Sequence, residues 1–231
     1  MLTVPQNLPS RLRLVRKRIE AAANAAGRSP LEITLIGVSK THPPAAVREA
    51  LAAGLSDFGE NYVQEALDKI DAIGPGAATW HFIGALQGNK TRPVAEAFDW
   101  VHTVDRAKIA RRLSEQRPWH APPLKVCLQV KLGGEQTKSG VAPEGLRALA
   151  SDVAALPRID LRGLMCIPPE ERDPARQRHW FRRLRELRDD LRDAGHALDV
   201  LSMGMSGDFE VAIGEGATHV RVGTALFGPR G

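Results

Sequence analysis

Cysteine is scarce in this sequence, and long apolar runs are missing from it. Only two cysteines occur among the 231 residues, Cys127 and Cys166, and each lies inside an apolar, strand-like segment. Their spacing fits neither a disulfide framework nor a metal site, so we expect two buried residues in a reducing compartment. No apolar run approaches the roughly 20 residues of a membrane-spanning helix, and no signal peptide precedes the first helix. These absences predict a cytoplasmic protein without membrane contact and without a bound metal.

The chain also lacks a recognisable nucleic-acid motif, although its net charge is +5. The densest basic stretch lies at 176–192, where Trp180, Phe181 and Leu184 begin a spacing typical of an amphipathic helix. Acidic residues are interspersed among its arginines, and no aromatic platform accompanies them. We interpret this stretch as the solvated face of a helix, so no nucleic-acid partner is predicted.

Strand-like and helix-like segments alternate along the sequence after a predicted N-terminal helix at 8–27. Eight apolar strands are predicted, at 33–39, 56–60, 79–84, 99–104, 123–130, 159–167, 197–204 and 218–223. The predicted helices between them lie at 44–53, 62–73, 88–97, 106–116, 143–155, 173–194 and 207–215. Continuous apolar strands are typical of parallel sheets that are buried on both faces. The pattern predicts an α/β fold, a single (β/α)₈ barrel of the TIM type with an extra N-terminal helix, as one domain covering 1–231.

An open doubly wound sheet is the alternative fold. Such a sheet needs a glycine-rich phosphate turn after its first strand. The segment GVSKTHPP stands there instead and does not match that turn. The closed barrel is therefore favoured.

The functional residues of such a barrel lie at the carboxyl ends of its strands. Lys40 ends the first strand, and burial there favours the neutral amine that forms a Schiff base with an aldehyde. Ser206 follows the seventh strand as a natural N-cap of helix 207–215. Gly223 and Thr224 end the eighth strand, which neighbours the first strand in a closed barrel. The N–H groups behind Ser206, together with the N–H groups of Gly223-Thr224 and the Thr224 hydroxyl, predict a phosphate cradle beside the lysine.

Arg221 lies between two valines of the eighth strand and is expected to point into or across the barrel. One hypothesis makes it the partner of an inner carboxylate in a structural ion pair. The other makes it a donor to the nitrogen of a pyridine cofactor. A guanidinium, which is always charged, would leave that nitrogen unprotonated and the ring a weak electron sink.

Six stretches of the sequence form a specific combination. They are GVSKTHP (37–43), FGENYVQEALDKI (58–70), WHFIGALQGNK (80–90), TKSG (137–140), GLMCIP (163–168) and LSMGMSGDFEVAIGEGATHVRVGTALFG (201–228). In this order they resemble the pyridoxal phosphate homeostasis protein family, which is related to the barrel domain of alanine racemase. The sequence departs from the usual family pattern at Ala85 and Gly88, and neither position is an expected cofactor contact.

The resemblance implies that pyridoxal 5′-phosphate (PLP) is bound as a Schiff base. It implies that Lys40 holds the aldehyde carbon and that Arg221 lies at the ring nitrogen. It also implies phosphate contacts from Ser206, Gly223 and Thr224, and a ring lined by Asn61 and Met205.

Racemase chemistry requires a second acid/base group opposite the lysine, and the sequence offers no convincing one. Tyr62 is the only tyrosine and is interpreted as packing beside the second strand, whereas His81 and His102 are weaker candidates at strand ends. The chain ends at Gly231, without the second domain that supplies a tyrosine in alanine racemases. We therefore predict a monomeric PLP binder that passes the cofactor to apo enzymes without robust catalysis. The alternatives are an amino-acid racemase of the alanine racemase type and a Schiff-base aldolase acting on a sugar phosphate.

Overall fold

The computed structural model describes residues 7–133 and 139–228. Within them, parallel strands close into a barrel in chain order, with the last strand paired to the first. The strands are β1 (Thr34–Val38), β2 (Asp57–Glu60), β3 (Thr79–Phe82), β4 (Trp100–Val104), β5 (Leu124–Gln129), β6 (Ile159–Met165), β7 (Val200–Ser202) and β8 (His219–Val222). This arrangement confirms the predicted (β/α)₈ barrel.

The helices surround the barrel and cover the outer faces of its strands. They are α1 (Leu8–Ala25), α2 (Pro44–Ala52), α3 (Val63–Ile73), α4 (Thr91–Ala97), α5 (Ala107–Gln116), α6 (Pro143–Ala154), α7 (Pro174–Asp193), α8 (Phe209–Gly214) and α9 (Thr224–Phe227). The extra N-terminal helix is confirmed as α1, and α9 is a short helix that the sequence pattern did not predict. None of the helices in the described ranges has both the length and the apolar composition that crossing a membrane requires.

The seventh strand is shorter than the predicted 197–204. It begins at Val200 because a tight turn, closed by the Leu198 N–H on the His196 carbonyl at 3.0 Å, precedes it. It ends before Gly204, whose φ of 92° is incompatible with an extended strand. A Cβ at this position would also lie 2.6 Å from that of Ala212, so only glycine fits the turn into α8.

The barrel interior is more polar than the bulky aliphatic layers that usually fill this fold. Trp100, Cys127, Met165 and Val200 form a small apolar cluster inside it. Three buried histidines lie around the Trp100 ring, with ring centroids 5.2–5.7 Å away, and they are His81, His102 and His219. Burial lowers the pKa of all three, that of His219 to about 3, so they are neutral at neutral pH.

Both cysteines are buried free thiols, as expected. Cys127 faces the barrel interior, and Cys166 belongs to the core between strands and helices. Burial raises the pKa of both thiols, that of Cys166 to about 12. They are therefore poor nucleophiles at neutral pH.

Three arginines of the basic helix α7 reach one buried carboxylate. Arg178, Arg182 and Arg185 all lie within 3.3 Å of Glu215, whose side chain is only 4% exposed. The opposite face buries leucines and a phenylalanine against the barrel. Part of the positive charge in this stretch is thus compensated inside the molecule, which agrees with its interpretation as a solvated helix face.

Glu215→Gln is expected to lower the free energy of unfolding by about 1.5–3 kcal/mol, because it leaves three clustered guanidinium groups without their shared acceptor charge. Urea unfolding followed by circular dichroism measures the loss. Glu186→Gln is the matched control, since Glu186 pairs with Arg183 at the surface and such pairs contribute about 0–1 kcal/mol. Equal losses in the two variants would contradict the assignment.

Candidate functional site

The carboxyl ends of β1 and β8 lie side by side at the mouth of the barrel. The two strands pair in parallel up to Gly37 opposite Val222. Just beyond this pair, a Cβ built on Gly223 would lie 3.5 Å from the Cβ of Val38. Lys40 follows two residues after Val38. Closure of the barrel therefore brings the lysine end of β1 next to the Gly-Thr end of β8, as the sequence predicted.

Lys40 occupies a strained turn, residues 39–42, which we call the lysine turn. The His42 N–H donates to the Ser39 carbonyl at 3.0 Å and closes it. Thr41 has a φ of 67°, a left-handed conformation that is uncommon for a β-branched residue. The His42 ring stacks on Phe227 of α9 at 5.2 Å, which fixes the turn beside β8. Such strain persists only where the surrounding structure enforces it, and it is common at functional sites.

A buried ionic cluster behind β1 holds the lysine turn from outside the barrel. Lys69 of α3, only 2% exposed, donates to the Ser39 carbonyl at 2.6 Å and to Glu60 Oε1 at 2.7 Å. It also donates to Glu65 Oε1 at 2.6 Å, and that oxygen accepts the Thr41 N–H at 2.5 Å. Burial raises the pKa of Glu60, against the lowering effect of the hydrogen bonds from Lys69 and Ser39. The cluster fixes the backbone on both sides of the lysine.

The loop between β7 and α8 differs in one respect from the sequence prediction. Ser206 is not the N-cap of the following helix: α8 begins at Phe209, and Asp208 holds the N-cap position. The Asp208 carboxylate accepts the Met205 N–H at 2.6 Å and thereby shapes the loop. The Ser206 hydroxyl instead accepts the Ala225 N–H of α9 at 3.5 Å. The hydroxyl thus joins the β7 loop to the β8 loop at the barrel mouth.

Arg221 lies inside the barrel below this loop and is 3% exposed. Its Nη1 donates to Ser202 Oγ at 2.7 Å, and its Nη2 donates to the Cys166 carbonyl at 2.9 Å. No carboxylate within the described part of the chain pairs with it, so the structural ion-pair hypothesis finds no partner there. Burial lowers the pKa of Arg221, which is the expected effect of an uncompensated charge.

Two adjoining cavities open at the mouth. One, of about 270 Å³, is lined by Asn61, Ile83, Gly84, Ala85, Thr103, Gln129, Ser139 and Ile167. The other, of about 600 Å³, includes Met205 and also touches Ile167. Asn61 Oδ1 is buried and has no hydrogen-bond partner among the described residues. A Cβ at Gly84 would lie 2.1 Å from the Asn61 carbonyl oxygen, so a glycine is required for this close approach.

Some residues of this mouth were not singled out from the sequence. Gln129 is 6% exposed and donates to the Ser139 carbonyl at 2.9 Å, which closes one wall of the smaller cavity. The sequence feature that could have identified Gln129 is a single amide side chain in the otherwise apolar strand VCLQV. Thr137 and Lys138, which belong to the TKSG stretch, lie outside the described residues.

The three acid/base candidates from the sequence, Tyr62, His81 and His102, do not come together at the mouth of the barrel. The expected packing of Tyr62 is wrong, because its side chain is 58% exposed where it precedes α3. His81 and His102 are fully buried inside the barrel and hydrogen-bond to each other, so neither of them ends a strand at the mouth.

Comparison with known proteins gives a consistent result. Residues 11–231 match the family model described as "Alanine racemase, N-terminal domain". The chain is 59% identical over 230 residues to the pyridoxal phosphate homeostasis protein of Pseudomonas aeruginosa, covering 100% of this chain and 97% of that protein. It is 51% identical over 219 residues to the protein of the same name from Escherichia coli K12, covering 94% of each.

A solved structure with the same architecture is that of PipY from Synechococcus elongatus with PLP bound. It is 40% identical to this chain, with a TM-score of 0.86, and the alignment covers 96% of this chain and 100% of that one. The likeness therefore extends over nearly the whole chain.

Lys69→Met is expected to destabilise the protein by about 3–5 kcal/mol at neutral pH, because it leaves two carboxylates around a buried site without their cation. It also raises the pKa of Glu60 in the folded state further above the ordinary value of 4.5. A raised folded-state pKa contributes stability that is present below 4.5 and lost as the pH rises through the folded-state value. The deficit against wild type should therefore grow from pH 4.5 to pH 7 in urea unfolding. Lys108→Met, at an exposed position, is the control, and a deficit that does not change with pH would refute the role of Glu60.

Proposed function

This chain belongs to the pyridoxal phosphate homeostasis protein family, within the wider family of alanine racemase N-terminal domains, and we propose that it binds PLP covalently and takes part in PLP homeostasis. The observation that carries the proposal is Lys40, held in a strained turn where the end of β1 meets the end of β8. When bound, PLP supplies an aldehyde that reacts with an amine and a pyridine ring that accepts a hydrogen bond.

The loops after β7 and β8 are suited to the phosphate group of PLP. The N–H groups of Ser206 and Gly207 have no backbone acceptor within 7–133 or 139–228, which suits them to an anion. The Ser206 and Thr224 hydroxyls add further donors. We propose that Ser206, Gly223 and Thr224 bind the phosphate.

The ring end fits Arg221 and Asn61. Arginine carries five N–H donors, and Arg221 places two of them on neutral oxygens. The buried Asn61 Oδ1 lacks a partner among the described residues. We propose that Arg221 donates to the ring nitrogen and that Asn61 and Met205 line the ring. A guanidinium at that nitrogen keeps the ring a weak electron sink, which suits storage better than catalysis.

A binding role agrees with the acid/base groups that the structure describes. Tyr62 is largely exposed, and His81 and His102 inside the barrel are held in a hydrogen-bonded series that ends at Asp57. Met205 is 39% and Ile167 is 37% exposed, so the mouth is open enough for the cofactor to leave. We propose that residues 1–231 act as one cytoplasmic, monomeric domain that passes PLP to apo enzymes without robust catalysis. Racemisation of alanine by the PLP-loaded protein, measured by circular dichroism, would favour the racemase alternative.

Lys40→Ala is expected to abolish the visible absorbance band of the protein loaded with PLP, because the amine that forms the Schiff base is removed. Spectra of wild type and variant, each before and after addition of PLP, test this. Lys17→Ala, at an exposed position of α1, controls for the loss of a surface amine. Wild-type protein that shows no band after addition of PLP would sink the proposal and favour the aldolase alternative.

Ser206→Ala is expected to weaken PLP retention by tenfold or more, since a charge-assisted hydrogen bond contributes about 1.5–3 kcal/mol. Thermal unfolding of the protein without cofactor should change little, because the one hydrogen bond of the hydroxyl to the described residues is long, 3.5 Å from the Ala225 N–H. Loss of PLP during dialysis is the measurement, and Ser151→Ala on the exposed face of α6 is the control. Equal retention in both variants would place the phosphate elsewhere.

A further inference from the structure

Five polar side chains form a continuous hydrogen-bonded series through the barrel, which we call the interior relay. Arg221 Nη1 lies 2.7 Å from Ser202 Oγ, which lies 2.8 Å from His102 Nδ1. His102 Nε2 then lies 3.0 Å from His81 Nδ1. His81 Nε2 lies 3.1 Å from Asp57 Oδ1. The relay therefore connects a guanidinium at one end to a carboxylate at the other.

The two ends of the relay lie at opposite ends of the barrel. Arg221 lies below the mouth, whereas Asp57 is the first residue of β2 and lines a cavity of about 650 Å³ at the amino ends of the strands. The Asp57 side chain is 23% exposed, but His81, His102 and Ser202 are fully buried. Only the carboxylate end of the relay is thus in contact with solvent.

The carboxylate fixes the direction of every hydrogen bond in the relay. Burial acts to raise the pKa of Asp57, but hydrogen bonds from His81 and Ser56 bring it below its ordinary value, so Asp57 is ionised at neutral pH and only accepts. His81 must therefore carry its proton on Nε2, which leaves Nδ1 to accept from His102. His102 in turn carries its proton on Nε2, so its Nδ1 accepts the hydroxyl proton of Ser202.

With its own proton directed to the histidine, the Ser202 oxygen presents its lone pairs to Arg221. A series of aligned hydrogen bonds that ends on a carboxylate makes the last acceptor stronger, because each bond polarises the next. Such an acceptor stabilises a buried guanidinium most where the guanidinium has no direct counter-charge. The orientation of the guanidinium is then set from the far end of the barrel.

We propose that Asp57, His81, His102 and Ser202 are positioning residues for Arg221, and that Asp57 controls the Arg221 guanidinium from the opposite end of the barrel. The consequence for bound PLP rests on the proposed function, since it requires Arg221 at the ring nitrogen. The consequence for the histidine tautomers is independent of the proposed function.

His219 provides a reference inside the same barrel. Its ring lies 6.0 Å from that of His102, but its Nδ1 lies 3.0 Å from Thr218 Oγ1, so it does not take part in the relay. The histidines also form no metal site, because within the described ranges no group of metal-ligating side chains is arranged to hold an ion. Hydrogen bonding therefore accounts for the arrangement of His81 and His102.

The test compares two substitutions of one residue. Asp57→Asn retains an acceptor oxygen for His81, whereas Asp57→Leu removes it at similar volume. Nitrogen-15 NMR of labelled histidine in the cofactor-free protein reports the tautomers, and absorbance of the PLP-loaded protein reports the ring environment. We expect Nε2–H tautomers of His81 and His102 in wild type and in Asp57→Asn. In Asp57→Leu we expect mixed tautomers at both rings and a shifted band of bound PLP.

Asp160→Leu is the matched control, because it removes a carboxylate at the start of β6, at the same end of the barrel, and should leave both readouts unchanged. The proposal is overturned if Asp57→Leu keeps the tautomers of both rings, or if the PLP band does not move. If wild-type protein takes up no PLP, the proposed function fails. The histidine tautomers in the cofactor-free protein then test the relay by themselves.

Ser202→Ala keeps the test decisive if Asp57→Leu does not fold. It removes one oxygen and separates Arg221 from His102, so the His102 resonance and the PLP band should shift while His219 stays in place. An unchanged His102 resonance would overturn the proposal, because it would show that the hydrogen bond between Ser202 and the His102 ring has no energetic consequence.

Discussion

Closure of the sheet by the β1–β8 pair is the constraint on which the site depends. Lys40 and Gly223-Thr224 lie far apart in sequence, and only the parallel register that ends with Gly37 opposite Val222 brings them together. In an open sheet these strands would be two edges, and the lysine would lie far from the Gly-Thr end of β8. The polar residues at both strand ends are therefore placed by backbone hydrogen bonding of apolar strands, and their own interactions then refine the geometry.

Two buried cations, one outside the barrel and one inside it, differ in the partners that surround their charge. Outside the barrel, Lys69 is surrounded by two carboxylates and a carbonyl, so its charge is compensated and its role is to support the lysine turn. Inside the barrel, Arg221 hydrogen-bonds to a hydroxyl and a carbonyl and to no carboxylate of the described residues. Leaving a buried charge without a direct partner costs free energy. Such a cost is understandable where a ligand or a polarised series of hydrogen bonds supplies the compensation, and the interior relay is such a series.

Much of this could be predicted from the sequence, for identifiable physical reasons. The strands are short apolar runs and the helices carry a clear periodicity, so the barrel and the extra helix α1 followed from pattern alone. The position of Lys40 just after the end of β1 followed from the same pattern. The prediction that Ser206 is the N-cap of α8 was wrong, since the N-cap depends on which of two nearby polar residues, Ser206 or Asp208, the loop places at the helix start. The interior relay was not predictable, because its residues come from five strands and are joined only by the closed barrel.

The polar interior bears on the question of binder or enzyme. An acid/base catalyst must be able to gain or lose a proton near the reacting atoms, whereas burial holds the pKa of His81 and His102 below the ordinary value and keeps both rings neutral. Their hydrogen bonds also point away from the mouth, towards Asp57. These groups are thus suited to holding Arg221 in one state, and not to exchanging protons with a substrate. A barrel that fixes its arginine in this way favours a stable, weakly activated cofactor, which is what storage and transfer of PLP require.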